Sequence, residues 1–173
     1  MSRKGERLIM PAYNNNSQGF RNGNQRGSYN DRVQPRTDAE YTPKAMPLPA
    51  DYVEKAEEIM RVCHKYITSS KLRNILSMVS SIYNSERNGG EELTSMSQKR
   101  LSMLRIRIIY EYGRNEKKDK DNGGKNAEDV PRFIRETHIL DYLLDIGSDR
   151  EKFMDYAHYT EAIVAYHKFY GGK

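Results

Sequence analysis

From Pro49 onward, apolar residues recur every three or four positions, and this spacing predicts helices rather than strands. In the first stretch Tyr52, Ala56, Ile59, Cys63, Tyr66 and Ile67 share a face, and Asp51 with Glu54 approximates a capping box at its start. Thr68, Ser69 and Ser70 are cap-forming residues that open a second helix. Its stripe is Leu72, Ile75, Leu76, Val79, Ile82 and Tyr83, and Asn88-Gly89-Gly90 stops it. A third helix, capped by Thr94 or Ser95, runs to about Gly113, with Leu101, Leu104, Ile108 and Tyr112 on one face. A fourth begins near Asp129 and Pro131, since proline is tolerated where its missing N–H has no helical partner. Phe133, Thr137, Leu140 and Leu144 line one face of it. Ile139, Tyr142 and Ile146 lie nearly opposite, so this helix is expected either between two layers or with one face against another subunit. After Gly147, Ser148 and Glu151 predict a capping box for a fifth helix carrying Phe153, Tyr156, Ala157, Thr160, Val164, His167 and Tyr170. The only ambiguous strand-like run is Ile106-Arg107-Ile108-Ile109, so the expectation is an all-α fold, a bundle of about five helices.

Residues 1–47 break the pattern. They are rich in Asn, Gly, Arg and Gln, with three prolines near the end and too few aliphatic residues to offset chain entropy by burial. The expected organisation is a flexible, disordered basic tail over 1–47 and one helical domain over 48–173. Within the tail, Phe20 to Gly27 resembles arginine-glycine segments that bind single-stranded RNA through charge and stacking, which makes Arg21 and Arg26 candidate contacts. A solubilising extension is the competing reading. Residues 115–127 are charged and carry no periodic apolar residue, so an exposed loop is expected there.

Charge changes the picture more than composition does. The net charge of +5 in 173 residues is unevenly spread. Residues 1–47 hold eight Lys or Arg against four Asp or Glu, 61–114 hold ten against four, and 128–173 hold six against nine. A segregated positive field suits nucleic acid or another acidic partner. On the third helix Arg100, Arg107 and Arg114 recur at seven-residue steps and stack in a row beside the apolar arc. Arg105 on the same helix, with Lys71 and Arg73 on the second, joins them as candidates, and Glu111 competes for Arg107 from an i,i+4 position. The lone Cys63 allows no internal disulfide, no apolar run approaches the ~20 residues that span a bilayer, and the N-terminus lacks an apolar signal core. A soluble cytoplasmic protein is therefore expected. His64, His138, His158 and His167 show no metal-ligand spacing, and His167, on an apolar stripe, reads as a hydrogen-bonded core residue. No phosphate-cradling loop, serine elbow or paired carboxylates appear, so no catalytic residue, metal or cofactor is expected. A nuclease using His64 or His167 is a weaker alternative, and a protein scaffold docking acidic surfaces is another.

Three blocks in order, ITSSKLRNILSMVSSIYN, RLSMLRIRIIYEYGR and YTEAIVAYHKFYGGK, resemble the small subunit of the type III-A CRISPR-Cas effector, the Csm complex. The resemblance covers about residues 50–173 and leaves the tail outside. It implies a non-catalytic, all-helical RNA-binding subunit of a prokaryotic antiviral complex. Its implied partners are guide RNA, target RNA, further copies of itself, and the backbone and large subunits, without a membrane. Carried onto matching positions, the implied contacts are Lys71, Arg73, Arg100, Arg105, Arg107, Arg114 and Lys168. Growth of a filament of copies needs head-to-tail contacts, for which the second face of the fourth helix is the candidate.

Overall fold

The computed structural model describes residues 41–118 and 129–173. All the regular elements named among them are helices: α1 Tyr52–Cys63, α2 Ser69–Glu86, α3 Ser95–Lys118, α4 Asp129–Thr137, α5 Ile139–Asp145 and α6 Arg150–Phe169, with a 3-10 turn at His64–Tyr66. A single isolated bridge, Glu92 with Asp149, is the one β-type pairing among the described residues. The tail residues 1–40, Arg21 and Arg26 among them, and residues 119–128 of the expected loop lie outside the described residues.

The starts of α2, α3 and α6 each carry a side chain that accepts an orphan backbone N–H. Thr68 accepts from Lys71 N–H at α2, and Thr94 accepts from Ser97 N–H at α3. At α6 the cap is Asp149, which accepts from Lys152 N–H, so the box expected at Ser148 and Glu151 sits one residue later. Asp51 precedes α1 without capping it; its carboxylate instead pairs with Lys55 at 3.9 Å. The C-terminal end of α2 is finished by another helix: Arg150 donates Nε–H to the Glu86 carbonyl at 2.6 Å and Nη2–H to the Arg87 carbonyl at 2.7 Å. α3 runs on through Gly113 to Lys118, past its expected end, because Gly113 keeps helical backbone and nothing there forces a turn.

Two of the expectations change at residue 138. His138 takes a left-handed backbone, φ 50°, which divides the expected fourth helix into α4 and α5. The bend turns the segment into the body of the fold, so Ile139, Tyr142 and Ile146 are buried along with Phe133, Thr137 and Leu140. No apolar face of this segment is left for another subunit, and the filament contact expected there is excluded.

α3 and α6 each run antiparallel to α2, as the pairs Ser85–Arg100, Lys71–Glu111 and Glu86–Arg150 require. The core between them and α1, α4 and α5 contains Met60, Leu72, Ile75, Leu104, Ile108, Phe133, Phe153, Tyr156 and Ile163. Each contributes about 1.5–3 kcal/mol by leaving water. His167 is buried there and donates Nε2–H to the Ile67 carbonyl at 2.9 Å, the core role its stripe position predicts. Beyond it the chain reverses. Gly171 has φ 84°, a conformation open to glycine, and a Cβ on Gly172 would overlap the His167 ring.

Residues 41–48, most of which the sequence assigns to the tail, lie against α5 and α3. Tyr41 donates its hydroxyl to Asp141 at 3.0 Å and stacks on Tyr112, while Lys44 N–H bonds Asp141 at 2.8 Å and Met46 N–H bonds the Asp141 carbonyl at 3.2 Å. Burial, then the Asp141 contact, pushes the Tyr41 phenol well above its ordinary range. Asp141 also meets the His138 ring at 2.9 Å, so one buried carboxylate holds the helix break and the arriving chain together.

Asp141→Ala should therefore lower unfolding stability by about 1–3 kcal/mol in urea, and limited proteolysis should cut faster within residues 41–48; an unchanged midpoint and cleavage pattern would contradict the clasp. Glu86, buried at the end of α2, gives a pH prediction. Burial raises its carboxyl pKa, but the nearby Ser97 hydroxyl, bonds from Thr94 Oγ1 and N–H, and the Arg150 charge more than offset this and leave it lowered. Ser97 acts here by proximity, since its hydroxyl has no hydrogen bond of good geometry. A lowered folded-state value means stability that is present above the ordinary value of 4.5 and lost as pH falls further. Glu86→Gln should be less stable than the parent at pH 7 and should show a flatter loss of stability on acidification below about 4.5, followed by circular dichroism.

Candidate nucleic-acid interface

The edge where α2 meets α3 collects most of the predicted cations. Glu111 points into this seam and is buried, with its side chain 5% exposed. Arg107 meets it one turn earlier at 3.1 Å, Arg114 three residues later at 3.7 Å, and Lys71 reaches across from the first turn of α2 at 3.8 Å. Glu111 Oε2 faces the latter two without a hydrogen bond of good geometry, so it holds them by charge. Both arginine side chains remain 41% exposed and lie over the Tyr110 ring at 5.7 and 5.9 Å. Farther along the row Arg100 donates to the Ser85 hydroxyl at 3.0 Å. Four cations thus line one edge, three of them around one carboxylate.

The other predicted residues are not brought to this edge. On α2, Arg73 is exposed two residues beyond Lys71, which places it on the opposite side of the helix's apolar stripe. Arg105 is exposed on the edge of α3 that carries Tyr112, away from the row. Lys168 is exposed in the last turn of α6, and α6 makes no close approach to α3.

Two features escaped the sequence reading. First, α3 carries a second apolar surface. Met96, Met103, Ile106, Ile109 and Tyr110 are 60, 58, 58, 44 and 52% exposed, on the side facing away from the core. Their seven-, three- and four-residue spacings were visible, but a wheel centred on the core face counts them as background. Second, Lys71 also borders a hollow of about 510 Å³ with His64, Lys65, Thr68 and Lys173. Lys173 arrives there because its carbonyl accepts from Ser69 N–H at 2.6 Å, a contact between distant parts of the chain that no local pattern announces.

The remaining chemistry is structural. His64 donates Nδ1–H to the Met60 carbonyl at 3.0 Å. Cys63 is buried, and burial pushes its thiol up, away from the reactive thiolate. An open hollow of about 900 Å³ near Gly89, Glu91 and Glu151 is lined by acids and glycines together with Ser148, Arg150 and Met154, without a histidine or cysteine. Among the described residues no three His, Cys, Asp or Glu side chains group as metal ligands, and no helix is long and apolar enough to cross a membrane.

The family model for Csm2 of type III-A matches residues 48–173. A CRISPR system protein Csm2 of Streptococcus thermophilus is 35% identical over 131 residues, covering 71% of this chain and 93% of that protein. Its counterpart from Mycobacterium tuberculosis (strain CDC 1551 / Oshkosh) is 27% identical over 124 residues, 69% of this chain and 90% of the relative. One from Enterococcus italicus is 32% identical over 108 residues, covering 60% and 68%. The match spans the helical elements from before α1 to the end of α6, so the chain belongs to the Csm2 family, the small subunits of type III-A CRISPR effector complexes.

Proposed function

We propose that this subunit is a non-catalytic RNA-binding component that lines the guide-target duplex in several copies within a prokaryotic cytoplasm, beside the backbone and large subunits. The observation that carries this reading is the row of Arg100, Arg107 and Arg114 with Lys71 on two packed helices, with Lys71, Arg107 and Arg114 held by Glu111 and Arg100 by Ser85. Steps of seven residues set the arginines about 10 Å apart on a rigid rail about 21 Å long. Such a rail meets phosphates and leaves bases unread, which suits a subunit that must accept any guide sequence. The positions of His64, His167 and Cys63 in structural roles favour binding over catalysis. Arg21 and Arg26 add contacts from the tail, while Arg73, Arg105 and Lys168 stand outside the row and serve other surfaces. Weak binding by one copy gains from neighbouring copies on the same RNA. A protein-only scaffold is the second reading, favoured by the exposed apolar face of α3.

Replacing Arg100, Arg107 and Arg114 together with Ala should weaken RNA binding at least tenfold and reduce the slope of log affinity against log salt by about two to three, at unchanged helicity. Filter binding with unrelated RNAs reads both quantities, and a scaffold would show no salt-sensitive RNA binding in either form. Glu111→Gln separates the internal role of the cluster from the external one. It should lower unfolding stability by about 1–2 kcal/mol, tempered by the exposure of the arginines, yet raise RNA affinity, because removing the one negative charge from the edge outweighs the ordering that Glu111 gives its cations. A loss of both would show that the cations serve the fold alone.

A further inference from the structure

Phe169, the last residue of α6, is 76% exposed, the most of any large apolar side chain among the described residues, and its ring has no polar atom that would favour water. A lone exposed ring needs no explanation by itself. Its setting gives it one. Lys168 precedes it and is exposed, the Phe169 ring meets Tyr170 edge to face at 5.1 Å, and Tyr170 meets the His64 ring at 6.3 Å. His64 forms part of the wall of the hollow of about 510 Å³ at the start of α2, so these rings connect Phe169 to that hollow.

The hollow is cationic. Lys65, Lys71 and Lys173 line it against one side-chain carboxylate, Asp129. Lys65 is exposed and lies over the Tyr66 ring at 5.3 Å, and Arg132 lies over the same ring at 4.7 Å. Glu57, the acid that Tyr170 touches, is already taken: it pairs with Arg61 at 3.5 Å and accepts from the Tyr170 hydroxyl at 2.9 Å. The attraction comes from the lysine side chains rather than from the end of α2, since the Ser69 and Lys71 N–H groups are engaged by the Lys173 carbonyl and the Thr68 hydroxyl. Lys71 belongs at the same time to the Glu111 cluster, so the hollow continues the cationic row of the α2/α3 edge.

We propose that the hollow and Phe169 together form a site for an unpaired nucleotide of single-stranded RNA, with phosphates against Lys65, Lys71 and Lys173 and a neighbouring base stacked on Phe169 beside Lys168. This rests on the RNA reading of the row and extends it to a second form of RNA. Inside a duplex both faces of a base are covered by its neighbours, whereas an unstacked base offers a face to an aromatic ring. A phenylalanine ring supplies that face and no hydrogen bond, so the site accepts any base. The row holds the backbone along α2 and α3, and the end of α6 takes a strand that has left the duplex.

The chain contains no tryptophan, so Phe169→Trp in the full chain places one fluorophore at the site. Excited where tyrosine does not absorb, its emission should be quenched as oligouridine is added, in step with filter binding, and far less by a blunt RNA duplex of the same length. Phe169→Ala and Phe169→Leu should each weaken oligouridine binding about fivefold or more while Phe169→Trp keeps the parental affinity, and all three should bind the duplex as the parent does. Lys65→Ala should reduce the slope of log affinity for oligouridine against log salt by about 0.7. Phe169 and Lys65 are both exposed, and circular dichroism checks that each variant folds. An unquenched tryptophan on a chain that still binds oligouridine would overturn this site and leave the row standing. Equal quenching by the duplex would overturn the assignment to an unpaired nucleotide. Parental affinity in Phe169→Leu would assign the ring to an apolar protein contact and overturn the proposal. A parent that binds neither RNA would overturn the reading of the row as well.

Discussion

One buried carboxylate sets the character of the surface. Glu111 lies where α2 meets α3, and three cations converge on it from two helices. A buried charge without partners costs several kcal/mol, so Glu111 fixes the rotation of α3 against α2 and the positions of Lys71, Arg107 and Arg114 together. One negative charge among three positive ones also leaves the edge with a surplus of two. Long cationic side chains are usually mobile, and their ordering opposes binding. Here part of that ordering is already done by the fold, and the stacking of both arginines over Tyr110 extends it.

The second constraint is that α3 is apolar on two sides. Leu101, Leu104 and Ile108 anchor it in the core, and Met103, Ile106 and Tyr110 face out. The body of the fold covers only the inner side. The cations run along the borders between the two faces, where stems can lie on apolar surface while the charged ends reach outward. A single helix therefore serves as core element and charged rail, and turns a second apolar side outward.

Much of this was legible in the sequence, because helices, their turns and the inward stripes follow from local rules. The stripe of Leu72, Ile75, Val79 and Ile82, the core role of His167 and the Arg107–Glu111 pair follow from spacing alone, and the caps were narrowed to Thr68, Ser69 or Ser70 and to Thr94 or Ser95, of which Thr68 and Thr94 serve. The break at His138 was not legible, since histidine carries no strong turn signal and its left-handed backbone is stabilised by Asp141 together with Tyr41 and Lys44, residues nearly a hundred positions away. The cap at α6 was misplaced by one residue because Ser148 and Asp149 are both good caps and tertiary contacts decide: the Ser148 carbonyl is taken by Leu93 N–H. The end of α3 was misplaced because glycine permits a turn without requiring one. That Lys71 and Arg73 lie on opposite sides of the α2 stripe follows from spacing, but which of the two edges faces α3 depends on how the helices pack, and it is that of Lys71.

The central claim is that the α2/α3 edge is the RNA-facing surface. Ultraviolet cross-linking of the full chain to RNA, with the attached peptides identified by mass spectrometry, tests it most directly, because Tyr110 places an aromatic ring among the cations of the row. The account predicts cross-links within residues 100–114 and near the start of α2. Cross-links confined to α1 and α6, or to residues 1–40 alone, would contradict it.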